Sequence, residues 1–279
     1  MIGHSRTLQS ARLKDRRRKI IIGKIALGII GGVSLWSLIF WASSLPSVTI
    51  ERIEVEGTVS LSKEAIASST REFLLGRYFF TVPRGSIFFY PKVTIRENLQ
   101  ATYPEVEHIS LGAKNFYTLG IIVKERTAAG LWCRGAFEDI RKDNEDCFLL
   151  DKTGFIFAPV AGTADTSTLI RFYSKLAESN PIGQSYAPKA YFSSLLAFAR
   201  ELNDAGFVVK AFHDRQDDAV EALLSEGQRL VFTRDIDFVA ALGNFKTVIG
   251  DPSFGGSAGF VKTDYIDLRF GNKVFYKLK

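Results

Sequence analysis

Residues 25–50 carry no charged side chain. The apolar part, Ile25 to Leu45, stops before Pro46. As a helix rising about 1.5 Å per residue it would be about 30 Å long, the thickness of a bilayer's hydrocarbon layer. Gly28, Gly31 and Gly32 would weaken a helix in water but are tolerated in lipid, where no water competes for the backbone. Trp36 and Trp41 fall in the second half, with Trp41 placed for a membrane interface. The stretch is expected to be a transmembrane helix over 25–45.

Charge orients it. Residues 1–24 hold eight basic side chains against Asp15, a charge of +7, which leaves −1 for the rest of a chain whose net charge is +6. Arg16, Arg17, Arg18 and Lys19 precede the apolar stretch, so the positive-inside rule keeps 1–24 in the cytoplasm as a basic tail and sends the residues after the helix across. The tail suits anionic headgroups of the lipid bilayer. A cleaved signal peptide is the alternative, with Ala42, Ser43 and Ser44 as small cleavage-site residues, but an apolar core of about 21 residues exceeds the usual length. The near-neutral remainder argues against nucleic acid as a partner.

Beyond the anchor, Ile53 and Val55 alternate with Arg52, Glu54 and Glu56 and predict a half-buried strand ended by Gly57. Ser62 is placed to cap a helix with Ile66, Phe73 and Leu74 on its inner face and Gly76 at its end. The aromatic runs 78–80 and 87–90 are expected to pack in a core. A second helix fits Lys92 to Thr102 and strands fit 106–111 and 116–125, giving β-α-α-β-β.

After Trp132 comes a polar excursion, 134–146. A hairpin turning at Asp151–Gly154 comes next, then a helix from Tyr191 to Leu202 and strands at 207–213, 219–224 and 229–233. Asp235 is expected to cap a further helix, the glycine-rich 255–259 to be a flexible connection, and 265–270 and 273–278 to form a last hairpin around Gly271-Asn272.

Four segments resemble the FtsQ/DivIB bacterial cell-division proteins. Ile53-Glu54-Val55-Glu56-Gly57 looks like the opening strand of that family's POTRA domain. Val123-Lys124-Glu125-Arg126 looks like its Val-x-Glu-Arg segment, although Ala128 stands where a proline is often found. Leu150 to Phe157 looks like its Asp-x-x-Gly hairpin, and Tyr265 to Phe270 like its Asp-Leu-Arg strand. The resemblance implies an α+β chain: a single N-terminal transmembrane helix, a POTRA domain over 48–127, and over 128–279 a mostly antiparallel β domain with flanking helices. It implies a non-enzymatic, single-pass scaffold of the inner (plasma) membrane, gathered at the division septum. The partners implied are small bitopic coiled-coil proteins, FtsB/DivIC-like and FtsL-like, and other divisome proteins. The partner adds a strand along Phe270 and the last strand, Lys273, Val274, Phe275, Tyr276, Lys277 and Leu278.

The residues agree with that role for the last strand. It is rich in strand formers and lacks proline, so an unpaired edge there would offer its backbone to an incoming strand. Lys273 and Lys277 also read as guards against aggregation, and both roles can hold.

No pattern for catalysis, a cofactor, a metal or a small-molecule substrate stands out. The three histidines, His4, His108 and His213, are far apart in sequence, and no nucleophile motif accompanies His213-Asp214. Asp214, Asp217 and Asp218 lack the spacing of a calcium loop, and no phosphate-binding glycine loop precedes a helix. Cys133 and Cys147 flank the polar excursion; a disulfide between them and two buried free thiols are both open. A POTRA-bearing envelope protein that assists assembly or translocation of other polypeptides is the competing functional reading.

Overall fold

The computed structural model describes residues 6–43, 45–79, 82–134, 146–160, 166–176, 179–215, 217–271 and 273–279. The start of the basic tail, Phe80, most of the polar excursion and Asn272 of the expected last turn lie outside them. The protein is α+β, with an apolar N-terminal helix, α1 (Arg6–Ser43), and two compact units: Met1–Thr102 with His108–Lys124, and Tyr103–Glu107 with Glu125–Lys279. Within α1, residues Arg16–Ala42 are long and apolar enough to cross a membrane, and none of this stretch is buried against the protein. The helix begins well before the apolar stretch and ends at Ser43, ahead of Pro46, as expected from the missing amide hydrogen of proline.

In the first unit, β1 (Arg52–Glu56) leads into α2 (Lys63–Phe73). Ser62 caps α2, its hydroxyl accepting from the Ala65 amide at 3.2 Å. A two-residue pair, β2 (Arg77–Tyr78) and β3 (Val82–Pro83), precedes α3 (Lys92–Thr102), and β4 (Val106–Ala113) and β5 (Thr118–Glu125) close the unit. The sheet order is β1-β5-β4, with β1 parallel to β5. On β5, Leu119, Ile121 and Val123 are buried and Ile122 and Lys124 exposed, the period of a sheet with one covered face. Val55 on β1, Ile66 on α2 and Ile95 and Leu99 on α3 are buried as well.

Gly57, just past β1, has φ +84°, and a Cβ there would stand 2.2 Å from the Val123 carbonyl oxygen. Both the left-handed backbone and the close approach demand glycine. Gly57→Ala is expected to lower the first unit's stability by about 2 kcal/mol, read as earlier thermal melting of its helices. An unchanged melt would mean that the turn relaxes freely.

One expectation for this unit holds only in part. Among the described residues of the two aromatic runs Ile87 is buried and Tyr78 and Tyr90 are half-buried, but Phe79 is 85% exposed, Phe88 61% and Phe89 42%. Residues 87–89 lie in a turn, so successive side chains radiate instead of sharing a face, and only Ile87 reaches the core. Tyr90 is half-buried, which pushes its hydroxyl above the usual range.

The second unit is built on a nine-stranded sheet. Its strands are β6 (Gly130–Cys133), β7 (Cys147–Leu150), β8 (Ile156–Pro159), β9 (Arg171–Tyr173), β10 (Val209–Asp214), β11 (Ala219–Leu224), β12 (Arg229–Thr233), β13 (Thr263–Phe270) and β14 (Lys273–Leu278). The order is β14-β13-β12-β11-β10-β9-β6-β7-β8. Five junctions are antiparallel; β6–β9, β9–β10 and β12–β13 are parallel.

Helices α4 (Lys189–Asp204), α5 (Phe238–Gly250) and the short α6 (Gly256–Val261) contribute to the main core. Phe192, Leu195, Phe198, Ala199 and Leu202 of α4 recur at helical spacing and bury against the sheet. Phe172, Phe212, Phe232 and Phe245 fill the same core. A smaller cluster joins Leu131, Tyr173 and Ala211 with Cys133 and Cys147, which stand opposite each other on β6 and β7 and are joined as a disulfide.

Three details differ from expectation. Asp237, not Asp235, caps α5, accepting from the Val239 and Ala240 amides at 2.9 and 3.1 Å, because a turn through 233–236 delays the helix. The glycine-rich segment is not a loose connection: 256–261 is helical, with Gly255 at φ +85° leading into it and Phe260 buried. Strand β9, three residues long, has no counterpart among the strands expected from the sequence.

Candidate partner-binding edge

An open sheet has two ends, and the two here differ. At one end β8 is four residues long and closes on Pro159. The segment after it covers the start of its outer side: the Ile156 amide donates to the Gln184 carbonyl at 2.9 Å and the Gly183 amide to the Ile156 carbonyl at 2.9 Å. At the other end β14 runs six residues without proline. It pairs antiparallel with β13, and among the described residues no strand pairs with its outer side. A short, partly covered, proline-ended edge resists strand addition, whereas a longer open one invites it.

The side chains of β14 divide between the faces. Tyr276 stands opposite Ile266 and meets Phe254 edge-on at 5.0 Å, on the face that carries the helices' core. Val274 packs partly against that core. Phe275, opposite Asp267, meets Phe270 edge-on at 5.2 Å. Phe270, Phe275, Tyr276 and Leu278 are each about half exposed, and Lys273 and Lys277 are exposed. The seven residues singled out from the sequence thus share one hairpin. Both faces of β14 carry apolar surface: Val274, Tyr276 and Leu278 on one, and Phe275 between Lys273 and Lys277 on the other.

A charged ladder that sequence reasoning missed braces the strand. Arg229 donates to Asp264 at 2.9 Å, and Lys277 lies 3.6 Å from the same carboxylate. The Arg229 guanidinium holds the Asp264 carboxyl below the usual range. On β13, Arg269 forks onto Asp267 with bonds of 2.6–3.1 Å. Spacing within β13 marks only the Asp267–Arg269 pair; the link from β12 to β14 depends on strand order.

Two other motifs meet. Arg126 and Asp151, 25 residues apart, form an ion pair, with 5% of the Asp151 side chain exposed. The Arg126 Nε also donates to the Pro104 carbonyl at 2.9 Å, and its guanidinium lies 4.2 Å from the centre of the Phe155 ring. The second Asp151 oxygen accepts from the Thr153 amide (2.7 Å), the Thr153 hydroxyl (2.6 Å) and the Phe155 amide (3.1 Å). Burial pushes the Asp151 carboxyl up, but these donors and Arg126 outweigh it and hold it below the usual range. This knot fixes the β7–β8 turn and is structural chemistry.

The acidic turn after β10 is likewise engaged: Arg234 forks onto Asp214 at 2.6–3.0 Å, and Arg215 pairs with Glu221 at 2.7 Å and Asp217 at 3.1 Å. Among the described residues no three His, Cys, Asp or Glu side chains cluster as metal ligands. Comparison of the chain with protein-family models and with curated proteins finds no match.

Proposed function

We propose that this chain is a non-enzymatic scaffold of the bacterial division machinery, of the FtsQ/DivIB kind. In this reading α1 spans the inner membrane with its basic end in the cytoplasm. The POTRA domain (48–127) and the β domain (128–279) lie outside and gather at the septum. The scaffold holds small bitopic coiled-coil proteins, FtsB/DivIC-like and FtsL-like, by strand addition to β14. The observation that carries the reading is the contrast between the two sheet edges: β8 is partly covered and ends in proline, while β14 is long, open and lined by Phe275 and Tyr276. Supporting it are the order β1-α2-α3-β4-β5 of the first unit, interrupted by the two-residue pair β2–β3, the parallel pairing of β1 with the central strand β5, and the contact between the Val-x-Glu-Arg and Asp-x-x-Gly segments through Arg126 and Asp151.

The test is co-purification from membranes. Full-length protein carrying Tyr276→Lys or Phe275→Lys is expected to lose its coiled-coil partner while the second unit stays folded, melting cooperatively at a slightly lower temperature for the lost ring contact, because a charge on this surface opposes close packing of an added strand. Retention of the partner by both variants would remove β14 from the mechanism. In the same cells a tagged copy is expected to form a mid-cell band; a uniform envelope signal would favour the assembly-assisting reading instead.

A further inference from the structure

We propose that the exposed aromatic side chains Phe88, Phe89, Phe116 and Tyr117 form a patch that rests in the headgroup layer of the membrane crossed by α1, anchoring the first unit to the bilayer surface. This rests on the reading of α1 as a spanning helix. The chain leaving that helix sets the geometry. Residues 48–52 are hydrogen-bonded on both sides to turns of the first unit. On one side the Ile87 amide donates to the Val48 carbonyl at 2.9 Å and the Ile50 amide to the Gly85 carbonyl at 2.8 Å, with Thr49 bridged to Ser86. On the other, the Glu51 and Arg52 amides both donate to the Tyr117 carbonyl, at 3.0 and 3.1 Å. These two turns therefore flank the point where the chain enters the folded unit.

Both turns present aromatic rings outward. Phe88 is 61% exposed, Phe89 42%, Phe116 64% and Tyr117 46%. The Phe88 and Phe116 rings approach to 6.4 Å, so the two turns make one surface. Val48 is six residues beyond Ala42, the end of the apolar stretch, and six residues even fully extended span only about 20 Å. The patch is thus tethered within reach of the interface by backbone hydrogen bonds.

The amphipathic ring of Tyr117 suits that layer, and the three Phe rings bury apolar area at the boundary between headgroups and acyl chains instead of exposing it to water. Arg84 and Lys92, four residues either side of Phe88 in the chain, are exposed cations suited to anionic headgroups. Continuity with α1 favours lipid over a second protein as the occupant.

Both native cysteines are paired, so a single introduced thiol can be labelled selectively. Full-length protein in nanodiscs of phosphatidylethanolamine and phosphatidylglycerol would carry an environment-sensitive fluorophore at Phe88→Cys, Phe116→Cys, Leu35→Cys or Val59→Cys. Lipids bearing a nitroxide near the headgroup or deep in the acyl chain serve as quenchers. The expected result is several-fold stronger shallow quenching at 88 and 116 than at 59, which is 93% exposed on another loop, with deep quenching at 35. Adding Phe88→Ser and Phe89→Ser to the position-116 variant should at least halve its shallow quenching.

Quenching at 88 and 116 no stronger than at 59, with 35 still deeply quenched, overturns the patch and leaves the span intact. A blue-shifted signal at 88 and 116 that ignores the lipid quenchers assigns the patch to a protein contact and overturns it too. Loss of deep quenching at 35 overturns both readings together.

Discussion

Asp151→Ala is expected to destabilise the second unit by about 3–5 kcal/mol, followed through the fluorescence of Trp132, the buried tryptophan of that unit. The carboxylate is 4% exposed as a residue and answers four donors: Arg126, the Thr153 hydroxyl and amide, and the Phe155 amide. Removing it leaves the guanidinium largely buried without its counter-charge and strips the turn of its local acceptor, which is where the large loss comes from. Taking out both charges, as Arg126→Leu with Asp151→Leu, should recover part of the loss, since no orphaned charge remains.

The pH dependence has a definite sign. The folded carboxyl titrates below its unfolded value of about 3.9, so its contribution is fully present above that pH and lost as pH falls through the folded value. The gap between wild type and Asp151→Ala should be constant from about pH 8 to 5 and close below about pH 4. A loss under about 1 kcal/mol at pH 7 would place this pair with ordinary surface salt bridges.

Phe172→Ala is expected to cost the same unit about 3–5 kcal/mol, and Phe172→Leu about half as much. Phe172 is fully buried on β9, an interior strand of the sheet, with Phe192 at 5.0 Å, Tyr186 at 5.1 Å and Phe212 at 5.5 Å between ring centres. Phe212 is held by β10, Phe192 by α4 and Tyr186 by its backbone bond to Gly154, so the cavity has little room to collapse. Gly130 offers an internal check. A Cβ there would lie 2.7 Å from the Phe172 ring, so Gly130→Ala alone should destabilise, yet cost less in the Phe172→Ala background, where the ring has gone. Additive effects in the double variant, measured by denaturant midpoint, would show that the two positions do not share space.

Elements with strong local signals were legible. Ser62 caps α2, α3 spans Lys92–Thr102 as its pattern predicts, and β11 and β12 begin and end where alternation and flanking turns placed them. The Asp237 cap was missed by two residues because either aspartate satisfies the same local rule. The exposed Phe88 and Phe89 were misread because hydrophobicity alone does not say whether a run lies in a strand or a turn. Strand β9 was illegible: three residues carry no period, and its place between β6 and β10 comes from pairings about forty residues away on each side. The strand Lys273–Leu278 was readable, but the openness of its outer side depends on the order of nine strands, which no local pattern carries.

That placement of β9 has a kinetic meaning. The groups β6–β8 and β10–β12 are each joined by neighbouring antiparallel pairings and can zip early, at little loop-closure cost. β9 must bring Leu131 to Arg171 and Arg171 to Ala211, two long closures, before the two groups become one sheet. Until it inserts, β6 and β10 are raw margins able to catch a neighbouring chain, so the hazard of misassembly is concentrated in the interval before three residues centred on Phe172 find their slot.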